Sequence, residues 1–153
     1  MLIIDIQKNN MKSNIKGEAS IVIHKTADQV WKALTTPDII KQYFFGTDVQ
    51  SDFKVGSPIT WKGEWEGKPY EDKGEIREAN KGQLLQFSHL SVSSGEKDLP
   101  ENYRIVTIIL SESNGQTKVT LTQDNNHSEA DREHSEKNWK GMLDGLKKVV
   151  EGK

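Results

Sequence analysis

One stripe constrains this chain more than any other feature. Toward the C-terminus, Trp139, Met142, Leu143, Leu146, Val149 and Val150 recur at i, i+3, i+4, i+7, i+10 and i+11. At about 3.6 residues per turn they share one side of a helix, and that apolar side must be buried against another layer. Ser128 supplies an N-cap residue at which such a helix begins. Further toward the N-terminus the same side carries Arg132, Ser135 and Glu136, so the stripe stops halfway. The C-terminal half predicts packing on a core. The N-terminal half predicts a wetter neighbour, such as the mouth of a cavity.

The layer that receives the stripe is legible upstream. Residues Ala19 to His24 alternate as a strand. Thr26, with Gln29 three residues later, makes a capping box, and Ala27, Val30, Trp31 and Leu34 then share a helical face. Thr36 and Pro37 start a second short helix in which Ile40, Tyr43 and Phe44 share a face, and Gly46 suits its stop.

From Thr47 to Gln123 the pattern changes to strands and turns. Ile59, Trp61 and Trp65 share a parity, and a turn falls at Gly67-Lys68-Pro69. Tyr70, Asp72, Gly74 and Ile76 share the next parity, and Leu85, Phe87 and His89 follow a turn at Asn80-Lys81-Gly82. Ser91 to Asn102 reads as the longest loop, and Tyr103 to Leu110 as the most apolar strand. Asn114-Gly115 is a strong hairpin signal before the strand carrying Val119 and Leu121. The expected class is α+β. A curved antiparallel sheet of six to seven strands surrounds a long C-terminal helix, with two short helices after the first strand. One domain is expected over residues 19–153, behind a partly ordered N-terminal extension over 1–18.

Composition narrows the function classes. A chain of 153 residues suits one domain. With only 33 % hydrophobic residues, its four Trp, four Phe and three Tyr must supply much of the buried area. A net charge of −2 without a Lys/Arg cluster argues against a nucleic-acid footprint. The absence of Cys removes disulfides, a thiolate nucleophile and a thiolate zinc site. No apolar run is long enough to insert in a membrane, and the stretch Leu2 to Ile6 is broken by Asp5 and too short for a secretory core. A cytoplasmic protein is expected.

The residues also carry a resemblance. The run IVIHKTADQVWKALTTPDIIKQYF, with Val30, Trp31, Ala33, Leu34, Thr35 and Pro37, resembles the opening of the family of activators of heat-shock-protein-90 ATPase homologues, in the START-like superfamily. Val55-Gly56, Gly74-Glu75-Ile76, Leu84 to Phe87 and the closing NWKGMLDGLKKVVE extend the likeness over most of the chain from Ile21. Tyr43 stands where many members carry Trp, and Asn138 where Gly usually precedes the Trp.

The resemblance implies a helix-grip fold, as in the birch-pollen allergen, with a cavity between sheet and long helix. By parity its walls would include Trp61, Trp65, Tyr70, Phe87, Val106, Ile108 and Leu121, closed by Trp139, Met142 and Leu143. These same residues also serve as core. Among inward polar residues, His89, Asp72, Arg104 and Gln123 either reach solvent near strand ends or fix the polar end of a ligand. Entry is expected between the loop Ser91 to Asn102 and the N-terminal half of the long helix.

Three functions stay open. The first is non-enzymatic binding of a small apolar or aromatic, lipid-like molecule. The second is co-chaperone-like or stress-response action on the ninety-kilodalton heat-shock protein. The third is polyketide-cyclase-like catalysis, which requires His89, Asp72 or Arg104 to face the cavity. No catalytic triad, phosphate loop or nucleophile elbow is visible, so no catalytic residue and no cofactor is assigned. His127, Asp131 and His134 share a helix face without a His-Glu-x-x-His pattern, and they read as solvated side chains rather than a metal site.

Overall fold

Alternation along the strands decides which side of the sheet becomes the core. The computed structural model describes residues 14–92 and 95–152, with the side chain of Trp65 outside the description. The apolar stretch Leu2 to Ile6 lies outside the described residues. The order is β1 (Gly17–Ile23), α1 (Ala27–Leu34), α2 (Pro37–Tyr43), β2 (Asp48–Gln50), β3 (Pro58–Trp65), β4 (Lys68–Asn80), β5 (Leu84–His89), β6 (Arg104–Ser113), β7 (Gln116–Gln123) and α3 (Glu129–Glu151). Seven strands form one antiparallel sheet in the order β1-β7-β6-β5-β4-β3-β2. The first strand begins at Gly17, two residues before the expected domain boundary.

Local signals explain most boundaries. The capping box forms: the Gln29 amide donates to Thr26 Oγ1 at 3.3 Å, and the Thr26 amide to Gln29 Oε1 at 3.2 Å. At α2 Thr36 occupies the N-cap position, but its side chain makes no cap bond. The hydroxyl instead donates back to the Lys32 carbonyl at 2.5 Å, and Pro37 alone sets the start. Asn114 and Gly115 both hold positive φ, at 55° and 77°, as a two-residue hairpin requires. The β3–β4 turn lies at Glu66 and Gly67, with φ of 52° and 79°, and not at Gly67-Lys68-Pro69. Lys68 and Pro69 belong to β4. Ser128 caps α3 by accepting from the Asp131 amide at 3.1 Å.

The core lies between the concave face of the sheet and the helices. Val30, Ile76, Val119, Leu121, Leu143 and Leu146 are fully buried there. Tyr43 locks the two short helices, donating from its hydroxyl to the Ala33 carbonyl at 2.9 Å. Gly145 lets α2 approach α3: a Cβ there would lie 3.2 Å from Tyr43 Cβ.

The polar half of α3 does not meet a cavity mouth. One polar flank of α3, running through both halves, closes the free edge of β1. Glu136 accepts from the Glu18 amide at 2.8 Å, and Lys140 donates to the Ser20 carbonyl at 3.2 Å. Lys147 donates to the Val22 carbonyl at 2.6 Å, and Glu151 accepts from the His24 amide at 2.8 Å. Alternate residues of an edge strand turn their backbone groups outward, so four side chains at two-residue steps cover the edge.

Candidate functional site

The concave face holds a small, partly open apolar cavity of about 30 Å³. Its floor is Ile59, Trp61, Leu85, Phe87 and Ile108 of the sheet, and its roof is Leu34, Ile40, Tyr43 and Met142 of the helices. Phe44, Phe53 and Trp139 complete it from the half-buried rim. A space of this size has room for about two waters, and its apolar walls offer a water few partners. Burial drives the one phenol in the lining, Tyr43, far above its ordinary value, so it stays a neutral donor.

The rim is aromatic and conformationally unusual. Phe44 meets Trp139 edge-on with centroids 6.0 Å apart, and meets Phe45 in the same way at 5.7 Å. Phe45 and Phe53 both hold left-handed backbone, with φ of 54° and 59°. This region is costly for a bulky side chain. Phe45 is also 64 % exposed. Between them lies β2, joined to the sheet by only three residue pairs with β3.

Trp139 is steadied from behind. Its Nε1 donates to Gln123 Oε1 at 2.7 Å, while Gln123 Nε2 donates to Asn126 Oδ1 at 3.2 Å. The inward Gln123 therefore serves the rim rather than solvent.

A polar row crosses the sheet beside the cavity. Trp61 stands opposite Asp72, and His89 opposite Arg104. His89 Nε2 lies 3.1 Å from Asp72 Oδ2, with side chains only 23 % and 14 % exposed. The His89 ring stands edge-on to Trp61 at 5.0 Å. Arg104 Nη1 donates to Glu96 Oε1 at 2.8 Å, and Glu96 Oε2 lies 3.6 Å from His127 Nε2. An imidazole steadied by a carboxylate resembles half of a general-base arrangement, but a base must reach a substrate proton. Here the ring stands edge-on to Trp61 and is not part of the cavity lining.

Beyond the row, Lys73 pairs with Asp98, whose carboxyl also accepts from Tyr103 at 2.6 Å. Lys73, and then Tyr103, hold the Asp98 carboxyl below its usual range. Burial first and the Asp98 bond second push the Tyr103 phenol up to about 12.

The residues singled out by sequence separate into groups. Trp61, Phe87, Ile108, Trp139 and Met142 line the cavity. Val106, Leu121 and Leu143 are fully buried in the core without lining it. Tyr70 lies over Gly63, where a Cβ would fall 2.8 Å from its oxygen, and its hydroxyl meets Thr47 Oγ1 at 2.5 Å. It latches the corner before β2 instead of walling the cavity. His89 and Arg104 form the polar row.

The rim differs from the expected entry. Among the described residues, none from Ser91 to Asn102 and none from the N-terminal half of α3 lines the cavity. Ile40, Tyr43 and Phe44, which share a face of α2 by their three-and-four spacing, all line it. Phe53 sits in an irregular segment, where no periodicity marks it.

Other candidates are weaker. An open surface groove of about 600 Å³ lies between the β4–β5 turn and β6. Its one charged lining residue, Glu112, already accepts from the Ala27 amide at the start of α1 at 2.6 Å. His127 and His134 take different partners, Glu96 and Asn138. Among the described residues no helix is long and apolar enough to cross a membrane.

Fold and cavity together define a START-like helix-grip domain, closed around a small apolar space with an aromatic rim. Its family follows from the match of residues 24–151 to the model for "Activator of Hsp90 ATPase homolog 1-like protein": the chain belongs to that family. A solution structure of the Cytophaga hutchinsonii protein ChR145 is 51 % identical, over 93 % of this chain and 97 % of that one, with a TM-score of 0.80. The solution structure of the Aha1 dimer from Colwellia psychrerythraea is 23 % identical, over 90 % and 96 % of the two chains, with a TM-score of 0.71. A Nitrosomonas europaea crystal structure is 16 % identical over 93 % and 97 %, with a TM-score of 0.73. The last two likenesses concern the fold alone. No curated protein matches the chain.

Proposed function

We propose that this protein binds a small apolar or aromatic, lipid-like molecule without turning it over, in the cavity between sheet and α3, after the aromatic rim parts. One observation carries the reading: the cavity's walls are regular elements, whereas its rim includes Phe53 in left-handed backbone, and the exposed Phe45, next to the rim residue Phe44, shares that conformation. Each such residue carries strain of order 1–3 kcal/mol, which opening would release. Established ligand pockets commonly measure ~300–1,000 Å³, so a ligand of this class requires the 30 Å³ space to enlarge. Burying about 200 Å² of apolar ligand surface at ~25 cal/mol/Å² gains about 5 kcal/mol before ordering costs. That is the scale needed to offset displaced rim contacts.

A titration with neutral 2-naphthol, followed by methyl chemical shifts, tests it. Shifts are expected at Leu34, Ile40, Ile108 and Met142. Shifts confined to Val22, Ile109 and other outward side chains would reject the site.

The family description supports a second reading, action on the ninety-kilodalton heat-shock protein. The exposed Phe45 and Val55, on segments flanking β2, are the apolar surface that favours it. Adding the protein to that chaperone should raise its ATPase rate, and Phe45→Ser with Val55→Ser should abolish the effect. An unchanged ATPase rate with the natural protein would end this reading.

A further inference from the structure

The polar row holds more charge than the closing of an apolar core requires. Arg104 is 15 % exposed, and its guanidinium offers five donors in a fork that matches a carboxylate. Among the described residues, its one acceptor is Glu96. Glu96 is equally sheltered, at 15 % exposure, with its second oxygen 3.6 Å from His127. A carboxylate thus sits on a sheltered guanidinium, with a mostly exposed imidazole near its second oxygen. Such a partly buried pair is weak evidence for stability, because desolvation offsets much of its attraction.

Position supplies the second observation. Glu96 belongs to no strand and reaches Arg104 from eight residues away in the chain. Arg104 stands opposite His89, two residues along β5 from Phe87, and the His89 ring touches Trp61. Phe87 and Trp61 both wall the cavity. The other carboxylate of the row, Asp72, meets His89 Nε2 at 3.1 Å.

We propose that Glu96 is an internal stand-in for a ligand carboxylate. The cavity's ligands are then apolar acids whose carboxylate displaces Glu96 from Arg104 while the apolar part enters beside Trp61 and Phe87. This rests on the ligand-binding reading and adds to it the charge of the ligand and the residue that anchors it. The exchange trades one carboxylate for another on Arg104, so the internal group competes with charged ligands and not with neutral ones.

The experiment compares 2-naphthoate with 2-naphthol on the natural protein, Glu96→Gln, Glu96→Ala and Arg104→Met, by calorimetry with methyl shifts to locate each probe. Both Glu96 variants should bind 2-naphthoate roughly tenfold more tightly, with 2-naphthol within about twofold, as loss of a charge-assisted competitor implies. Arg104→Met should lose the preference for the acid. Unchanged 2-naphthoate affinity in both Glu96 variants overturns the proposal, and so does 2-naphthoate weaker than 2-naphthol in all proteins. In either case binding of 2-naphthol leaves the cavity reading standing. If neither probe binds any of the proteins, both readings fall. Should Arg104→Met not fold, the two Glu96 variants decide alone.

Discussion

At the scale of single residues, the rim depends on a glycine that does nothing chemical. Gly63 stands opposite Tyr70, and the absence of a side chain lets the ring cross it to reach Thr47, which is fully buried. Tyr70→Phe keeps the ring but leaves the Thr47 hydroxyl without its partner. A buried hydroxyl left unpaired costs about 1–3 kcal/mol, so the denaturant midpoint should fall accordingly. Gly63→Val, which displaces the whole ring, should cost at least as much, and Gly63→Ala should also be felt. If Tyr70→Phe matches the natural protein, the latch has no energetic weight. Parity puts Tyr70 on the same face as Ile76, which is fully buried. It did not reveal what the ring covers, because a gap left by a cross-strand glycine has no signature along the chain. The same limit applies to His89 and Asp72: parity put both inward, but only the register of β4 and β5 joins them.

At the scale of elements, α3 is two elements in one. Its apolar half was legible because three-and-four spacing of large side chains has one reading. The edge-covering role of Glu136, Lys140, Lys147 and Glu151 had no such signal, because a strand edge lends no periodicity to the helix that covers it. Removing all four side chains to Ala should expose the β1 edge and produce larger species in sedimentation than the natural chain shows. An unchanged sedimentation profile would contradict the edge-covering role.

Acid should weaken the same edge. The His24 amide, and then Lys147, hold the Glu151 carboxyl below its ordinary 4.5. A lowered folded-state value means that the unfolded chain binds more protons as acid is added. The contribution is therefore complete above about pH 4.5 and is lost as pH falls through the folded value. Glu151→Gln should flatten the acid limb of the stability profile, read from midpoints between pH 6 and about pH 3. A profile parallel to that of the natural protein would contradict the assignment.

At the scale of the whole molecule, the architecture was readable and the state of its cavity was not. Alternation, caps and the C-terminal stripe define a sheet wrapped on a helix. Whether aromatic rings on facing layers leave a space or fill it depends on their rotamers and on segments such as Phe44 to Phe53 that follow no period. The structure answers with a nearly filled space of about 30 Å³ under a strained rim. The central claim is that this space opens at that rim. The most direct measurement is the structure of the protein with 2-naphthol bound. The ring is expected between Trp61, Phe87 and Met142, with Phe44 and Phe53 moved outward and the cavity enlarged severalfold. A ligand bound elsewhere, over a cavity and rim unchanged from the free protein, would contradict it.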